Sequence, residues 1–91
     1  MTLLIDPPLW SKHGTHWGHL VSDSSLEELH AFARARGIPE RAFDRDHYDV
    51  PVERHPELIA AGAVLVDGRE LVRRLRASGL RVTAAHRHGR R

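Results

Sequence analysis

Four aspartates come at the ends of short apolar segments, where carboxylates are well placed for chemistry. Asp6, Asp23, Asp49 and Asp67 each mark the end of a segment that is typical of a β-strand. Ligands of open α/β sheets bind beyond the carboxyl ends of the strands. If these strands run parallel, the four carboxylates lie at one edge, where they could hold Mg²⁺ or Mn²⁺ or supply a general base.

Two of these aspartates, Asp23 and Asp67, also stand directly before helical segments. An aspartate there accepts backbone N–H bonds and interacts favourably with the helix dipole, so both are interpreted as helix caps. Asp6 and Asp49 are instead followed closely by prolines, and no helix opens there. For these two, a structural and a functional role both stay open.

Histidine is over-represented, with eight among 91 residues. His47 and Asp49 are two positions apart on a predicted strand, so their side chains point to one face of the sheet. The pair could orient an imidazole as a base or metal ligand, or simply face water. His19 opens another predicted strand. The candidate catalytic residues are therefore His47, Asp49 and His19, and the candidate metal ligands are Asp6, His19 and Asp49.

Other residues are candidates for the wall of the same pocket. His30 lies on the apolar face of the first predicted helix, either hydrogen-bonded in the core or reaching toward the strand ends. Trp10 and Trp17 could line an aromatic pocket, stack a base or anchor a loop. His13 and His16 match no closed zinc motif and are predicted to be exposed. The candidate binding residues are Asp6, Asp23, Trp17, Tyr48 and His30.

Alternating strands and helices are predicted to position these residues. Strands are expected over 3–5, 19–22, 47–50, 63–66 and 80–83, with a loop over 9–18. Helices are expected from Ser24 or Ser25 to Gly37, over 53–61, and from Asp67 to Gly79. The alternation predicts an α/β fold. We expect one small domain over residues 1–83, with a mostly parallel or mixed sheet of four to five short strands and about three helices.

The composition and the charge distribution narrow the class of protein. The absence of cysteine excludes disulfides and cysteine-ligated metal sites. No segment has the apolar length of a membrane span, and no signal peptide is recognisable, so a cytoplasmic location without a membrane partner is expected. Residues 69–91 carry eight arginines and one glutamate. Residues 84–91 are predicted to be a disordered basic tail, which could attach to nucleic acid or only aid solubility.

Several segments together resemble a known family. They are Asp6-Pro7-Pro8 with Trp10, Trp17-Gly18-His19-Leu20-Val21-Ser22-Asp23, Glu28–Ala33, His47-Tyr48-Asp49 and Ala61–Val64. In this order they resemble a bacterial and phage family called domain of unknown function 4031, over about residues 3–75. The resemblance implies a complete small domain and brings no activity or catalytic residue with it. His13, His16 and the basic tail lie outside the pattern.

Three functions are open from the sequence. The first is a binding module for a small molecule or a protein, with a pocket lined by histidine and aspartate. The second is a phosphoester hydrolase that depends on a divalent metal ion as cofactor, with His47 or His19 moving a proton. The third is a nucleic-acid accessory protein that uses the arginine-rich C-terminus. The oligomeric state is not predicted.

Overall fold

A six-stranded mixed sheet forms the middle layer of the protein, of which the computed structural model describes residues 2–82. The order along the sheet is β4-β5-β3-β1-β6, and β2 pairs with β3 beside β1. This confirms the α/β class and the mixed form of the sheet. The strands are β1 (Leu3–Ile5), β2 (Trp10–Lys12), β3 (Thr15–Ser22), β4 (Phe43–Asp44), β5 (His47–Pro51) and β6 (Val64–Leu65).

The strand directions differ from the parallel arrangement considered for the four aspartates. Among the described strands only β1 and β6 pair in parallel, and the other pairs are antiparallel. β3 therefore runs against β1, β5 and β6. This direction carries Asp23 to the edge of the sheet opposite Asp6, so the four carboxylates do not share one edge.

Residues 9–18 form most of a β-hairpin and not the predicted loop. His13 and Gly14 connect β2 to β3 with φ of 54° and 79°, a pair of positive φ angles that is typical of a tight hairpin turn. Trp10 and Trp17 lie opposite each other, with stacked rings whose centroids are 5.9 Å apart. This cross-strand aromatic pair stabilises the hairpin, and its effect was not included in the prediction of a loop.

Three α-helices lie at the predicted places: α1 (Leu26–Ala35), α2 (His55–Ala60) and α3 (Gly68–Ser78). The side chain of Ser25 accepts the Glu28 N–H at the start of α1, and Asp67 accepts the Glu70 N–H at the start of α3. Asp67 is thus the helix cap that the sequence predicted. Gly79 ends α3 in the left-handed conformation, with φ of 85°.

The helices cover both faces of the sheet, and each face has its own core. Helix α3 packs on Leu4 and Val21 through Leu71 and Leu75. The opposite core is made by the sheet with α1 and α2 and includes Ile5, Leu20, Leu29, Tyr48, Val50 and Leu58. A fully buried leucine stabilises the fold by about 1.5–3 kcal/mol, so both cores contribute substantially to stability.

Two predicted strands near the C-terminus differ from the structure. The apolar segment 63–66 was expected to be buried on both faces, but β6 is a short edge strand whose Val64 and Leu65 are 46% and 52% exposed. Residues 80–82 form no strand. Thr83 and the predicted basic tail 84–91 lie outside the described residues. No helix within residues 2–82 combines the length and apolar character needed to cross a membrane.

Gly18 lies where β3 passes close to Asp6 and His55. A Cβ at this position would lie 2.6 Å from the Asp6 carbonyl oxygen and 2.7 Å from His55 Nε2. We expect Gly18→Ala to displace β1 and to lower the free energy of unfolding by about 1–3 kcal/mol in urea titrations. Gly68→Ala is the control, because its Cβ would meet only Asp6 Oδ2 at 3.5 Å. Equal unfolding midpoints for the two variants would contradict this prediction.

Candidate metal centre

Strands β3 and β5 place three ligand-type side chains on the face of the sheet that packs against α3. His19 lies directly opposite Asp49 in the antiparallel register, so the two side chains project on the same side. His47 precedes Asp49 by two residues and shares that face. One ligand atom from each of the three residues lies within 4.8 Å of the other two. The structure thus brings the three candidate catalytic residues together, and we call them the His19–His47–Asp49 cluster.

His47 is held between two carboxylates. Its Nδ1 lies 2.7 Å from Asp46 Oδ1, and its Nε2 lies 3.1 Å from Asp49 Oδ1. Asp46 is 2% exposed and also accepts the backbone N–H of Val82 at 2.8 Å. Burial alone lowers the pKa of His47, but the hydrogen bonds to Asp49 and Asp46 outweigh burial, and the pKa is raised from its ordinary value. The two carboxylates therefore favour a positive charge at this ring.

His19 is supported from behind by Asp6. The Nδ1 of His19 lies 3.0 Å from Asp6 Oδ2, and Asp6 Oδ1 accepts the backbone N–H of His19 at 2.6 Å. Because both carboxylate oxygens contact His19, Asp6 has a supporting position and the Nε2 of His19 is the nitrogen that can take a ligand. The carbonyl oxygen of Asp6 lies 3.1 Å from His55 Nε2, which fixes the end of β1. The ring of His47 stands edge-on to His19, with centroids 5.0 Å apart.

Asp46 is a residue of this site that the sequence analysis missed. It lies between the first predicted helix and the predicted strand 47–50, where no candidate residue was predicted, yet its buried carboxylate orients His47. It precedes His47 directly, and this acid next to a histidine is a signal that could have identified it. Its hydrogen bond from the backbone of Val82 joins residues 36 positions apart, so no local pattern predicts it.

Tyr48 and His30 lie away from the cluster. Tyr48 alternates with His47 along β5 and points to the opposite face, where its hydroxyl oxygen is 2.7 Å from His30 Nδ1. Burial and the charge of Glu40 raise the pKa of Tyr48, so the phenol keeps its proton and its hydrogen bond. His30 is therefore a hydrogen-bonded histidine beside the core, which was one of its two interpretations.

Asp23 is also remote from the cluster. It lies four residues beyond His19, about 13 Å along the strand. Its carboxylate accepts the Thr2 N–H at 2.9 Å and the Arg74 guanidinium at 2.7 Å. The interpretation of Asp23 as a helix cap is wrong, because Ser25 caps α1. Asp23 instead joins the N-terminal strand to α3.

Stability at low pH should depend on Asp23. Burial alone raises its pKa, but the hydrogen bonds from Thr2 and Arg74 outweigh burial and lower the pKa. Such a carboxylate stabilises the fold above its unfolded pKa of about 3.9, and this contribution is lost as the pH falls through the folded pKa. We expect Asp23→Asn to lower the free energy of unfolding at neutral pH by about 1 kcal/mol. In urea titrations this difference should shrink toward pH 2, and a pH-independent difference would contradict the assignment.

Two cavities flank the cluster. One, of about 190 Å³, lies against α3 and is bordered by His19, His47 and Asp46. The other, of about 470 Å³, is bordered by Asp49 and by Trp10 and Trp17 of the hairpin. The ring centroids of Trp10 and His19 are 5.8 Å apart. The cluster therefore lies between two cavities, of which the larger has the volume of a small-molecule site.

A model of a family described as "Protein of unknown function (DUF4031)" matches residues 3–78. The chain belongs to this family. The match confirms the resemblance seen in the sequence segments, and it extends from the start of β1 to the end of α3. All members of the cluster and both supporting aspartates lie inside it. No curated protein and no solved structure shows a significant match to the chain.

Proposed function

We propose that the protein binds a divalent transition-metal ion through His19, His47 and Asp49 and uses the ion to hydrolyse a phosphoester. One observation carries this proposal. Each imidazole is hydrogen-bonded through Nδ1 to its own buried carboxylate, and one possible ligand atom of each of the three residues lies within 4.8 Å of the other two.

Asp6 and Asp46 are placed where a metal site needs carboxylates, next to the histidines that would bind the ion. A metal-ligating histidine usually donates its other ring N–H to a carboxylate, which fixes the ring and raises its basicity. Asp6 stands in that position behind His19, and Asp46 stands there behind His47. Two histidine–aspartate pairs that share Asp49 as a third donor form a more specific pattern than any one of these residues alone.

The donor spacing suits a small ion. Two ligands bound at about 2.0–2.1 Å to a tetrahedral ion lie roughly 3.3 Å from each other. His47 Nε2 and Asp49 Oδ1 are 3.1 Å apart, and all donor pairs are within 4.8 Å. Binding therefore requires the donors to close by roughly 1–2 Å at most. The ion would replace the proton between His47 and Asp49, since metal binding releases protons from its ligands.

The number of donors supports a catalytic ion. Catalytic zinc sites use three protein ligands and keep a position open for water, whereas structural sites use four. An ion of this kind polarises a phosphoryl oxygen and lowers the pKa of water to about 7. Water then adds to phosphorus, the P–O bond to the leaving alcohol breaks, and the leaving oxygen takes up a proton. The products are the alcohol and inorganic phosphate.

The arginines of α3 give less support to a nucleic-acid function. Arg73 is bound by Glu70, and Arg74 is bound by Asp23. These contacts reduce the positive charge that α3 offers to a phosphate backbone, which is the main source of non-specific affinity for nucleic acid.

Hydrolysis of p-nitrophenyl phosphate tests the proposed function. The protein is treated with a chelator and reloaded with Zn²⁺, Mn²⁺ or Mg²⁺. We expect the activity to disappear with the chelator and to return with Zn²⁺ or Mn²⁺. Asp49→Asn should remain inactive after reloading, whereas Glu27→Gln, which changes an exposed carboxylate on α1 at the opposite face of the sheet, should behave like the unsubstituted protein. Activity that persists in the chelator, or an active Asp49→Asn variant, would contradict the proposal.

A further inference from the structure

The larger of the two cavities is lined by aromatic and basic residues that the proposed hydrolysis of a phosphoester does not itself require. It borders the cluster at Asp49 and extends along β5 toward the hairpin. Its volume of about 470 Å³ lies within the range of small-molecule sites, roughly 300–1,000 Å³. The apolar part of its lining is formed by Trp10, Trp17, Ile38, Pro39, Ala42, Val50 and Pro51.

Two indoles give this cavity a planar aromatic wall. Trp10 and Trp17 stack with an interplanar angle of 19°, and Trp17 Nε1 donates to the Lys12 carbonyl oxygen at 2.8 Å. Both rings are therefore held in place by the hairpin. A fixed indole surface is a stacking platform for a planar ring such as a nucleobase.

The rim of the cavity is cationic. Lys12 and Arg41 border it, and within residues 2–82 neither side chain makes an ion pair. Arg54 also borders it but is engaged by Glu57. Two basic groups beside an apolar wall suit a ligand that is both aromatic and anionic.

We propose that this cavity binds a nucleoside monophosphate, with its base against the Trp10–Trp17 wall and its phosphate near Asp49. Trp17 pairs with Pro51, two residues or about 7 Å along β5 from Asp49, so one sugar separates the two ends of the site. The inference rests on the proposed function for the placement of the phosphate, and it names the substrate class of that reaction. Arg41 then neutralises the phosphate, and the base accounts for the aromatic wall.

Tryptophan fluorescence tests this inference directly, because the only two tryptophans of the chain both line the cavity. The Zn²⁺-loaded and chelator-treated proteins are titrated separately with AMP, adenosine and ribose 5-phosphate. We expect saturable quenching by AMP with the loaded protein, and roughly 10- to 100-fold weaker binding of ribose 5-phosphate, which lacks the base. Arg41→Gln should weaken AMP binding, whereas Arg69→Gln on α3 should leave it unchanged.

The outcomes separate this inference from the proposed function. If Zn²⁺ binds and p-nitrophenyl phosphate is hydrolysed, but AMP causes no saturable quenching, the nucleotide inference is wrong and the hydrolase stands. The nucleotide inference is also wrong if ribose 5-phosphate binds as tightly as AMP, since the base then contributes nothing to binding. Suppose instead that AMP quenches the tryptophan fluorescence of the chelator-treated protein, that ribose 5-phosphate does not, and that Zn²⁺ does not bind. The cavity assignment is then supported and the hydrolase is wrong.

Discussion

His47→Ala is expected to remove metal binding and metal-dependent hydrolysis together. His47 contributes one of three donors and contacts another of them, Asp49, so its loss leaves too few ligands for a divalent ion. Loss of an outer partner typically costs 10–100-fold in affinity, and loss of a ligand should cost more than that. Thermal unfolding with and without Zn²⁺ measures the effect, because an ion at 100 times its dissociation constant stabilises the native state by about 2.7 kcal/mol.

Two further variants make this result interpretable. His16→Ala removes an exposed imidazole from the hairpin and should keep the full Zn²⁺-induced stabilisation. Removing His47 also leaves the buried Asp46 without one partner, so the variant is expected to be less stable on its own. Asp49→Asn leaves the pairing of His47 with Asp46 in place and should also lose the response to Zn²⁺. Stabilisation of the Asp49→Asn and His47→Ala proteins by Zn²⁺ as large as in the unsubstituted chain would contradict the assignment.

Asp46→Asn is expected to weaken metal binding by about 10–100-fold without removing a ligand. An asparagine Oδ1 can still accept the N–H of His47, so the ring keeps its orientation while the negative charge that raises its basicity is lost. The amide nitrogen then faces the Val82 N–H, so that hydrogen bond is lost and the variant is expected to be somewhat less stable. Asp46 is therefore a positioning residue. Isothermal titration with Zn²⁺ measures the affinity, and NMR titration of His47 in the metal-free protein should show a lower pKa in the variant, since Asp46 helps to raise it.

Glu27→Gln is the control for Asp46→Asn. Glu27 is exposed on α1, which packs on the face of the sheet opposite the cluster. Its substitution should change neither the Zn²⁺ affinity nor the pKa of His47. An Asp46→Asn protein with unchanged affinity would show that the buried carboxylate serves the fold alone.

Much of the fold could be predicted because its signals are local. The serine and glutamate pair at Ser25 marked the start of α1, and Asp67 with Gly79 bounded α3, since caps depend on neighbours in the sequence. The alternation of His47 and Asp49 likewise predicted that their side chains share a face. Such features need no knowledge of which strands pair.

The completion of the site could not be predicted, because it depends on pairing between distant segments. Only the antiparallel register of β3 and β5 sets His19 opposite Asp49, and the same strand direction carries Asp23 away. The sequence predicted that Asp6 follows the end of β1, which it does. Its role behind His19, however, follows from the close approach of β1 to Gly18. Tyr48 and His30 were grouped with the cluster although the pleat directs Tyr48 to the other face.

A crystal structure of the protein grown with Zn²⁺, with anomalous diffraction recorded at the zinc edge, tests the central claim most directly. We expect one anomalous peak at about 2.0–2.1 Å from the Nε2 atoms of His19 and His47 and within about 2.2 Å of an Asp49 oxygen. Asp6 and Asp46 should remain on the Nδ1 atoms of the two rings. A structure without a peak at these three residues, or with zinc bound only at exposed histidines such as His13 and His16, would contradict the metal centre.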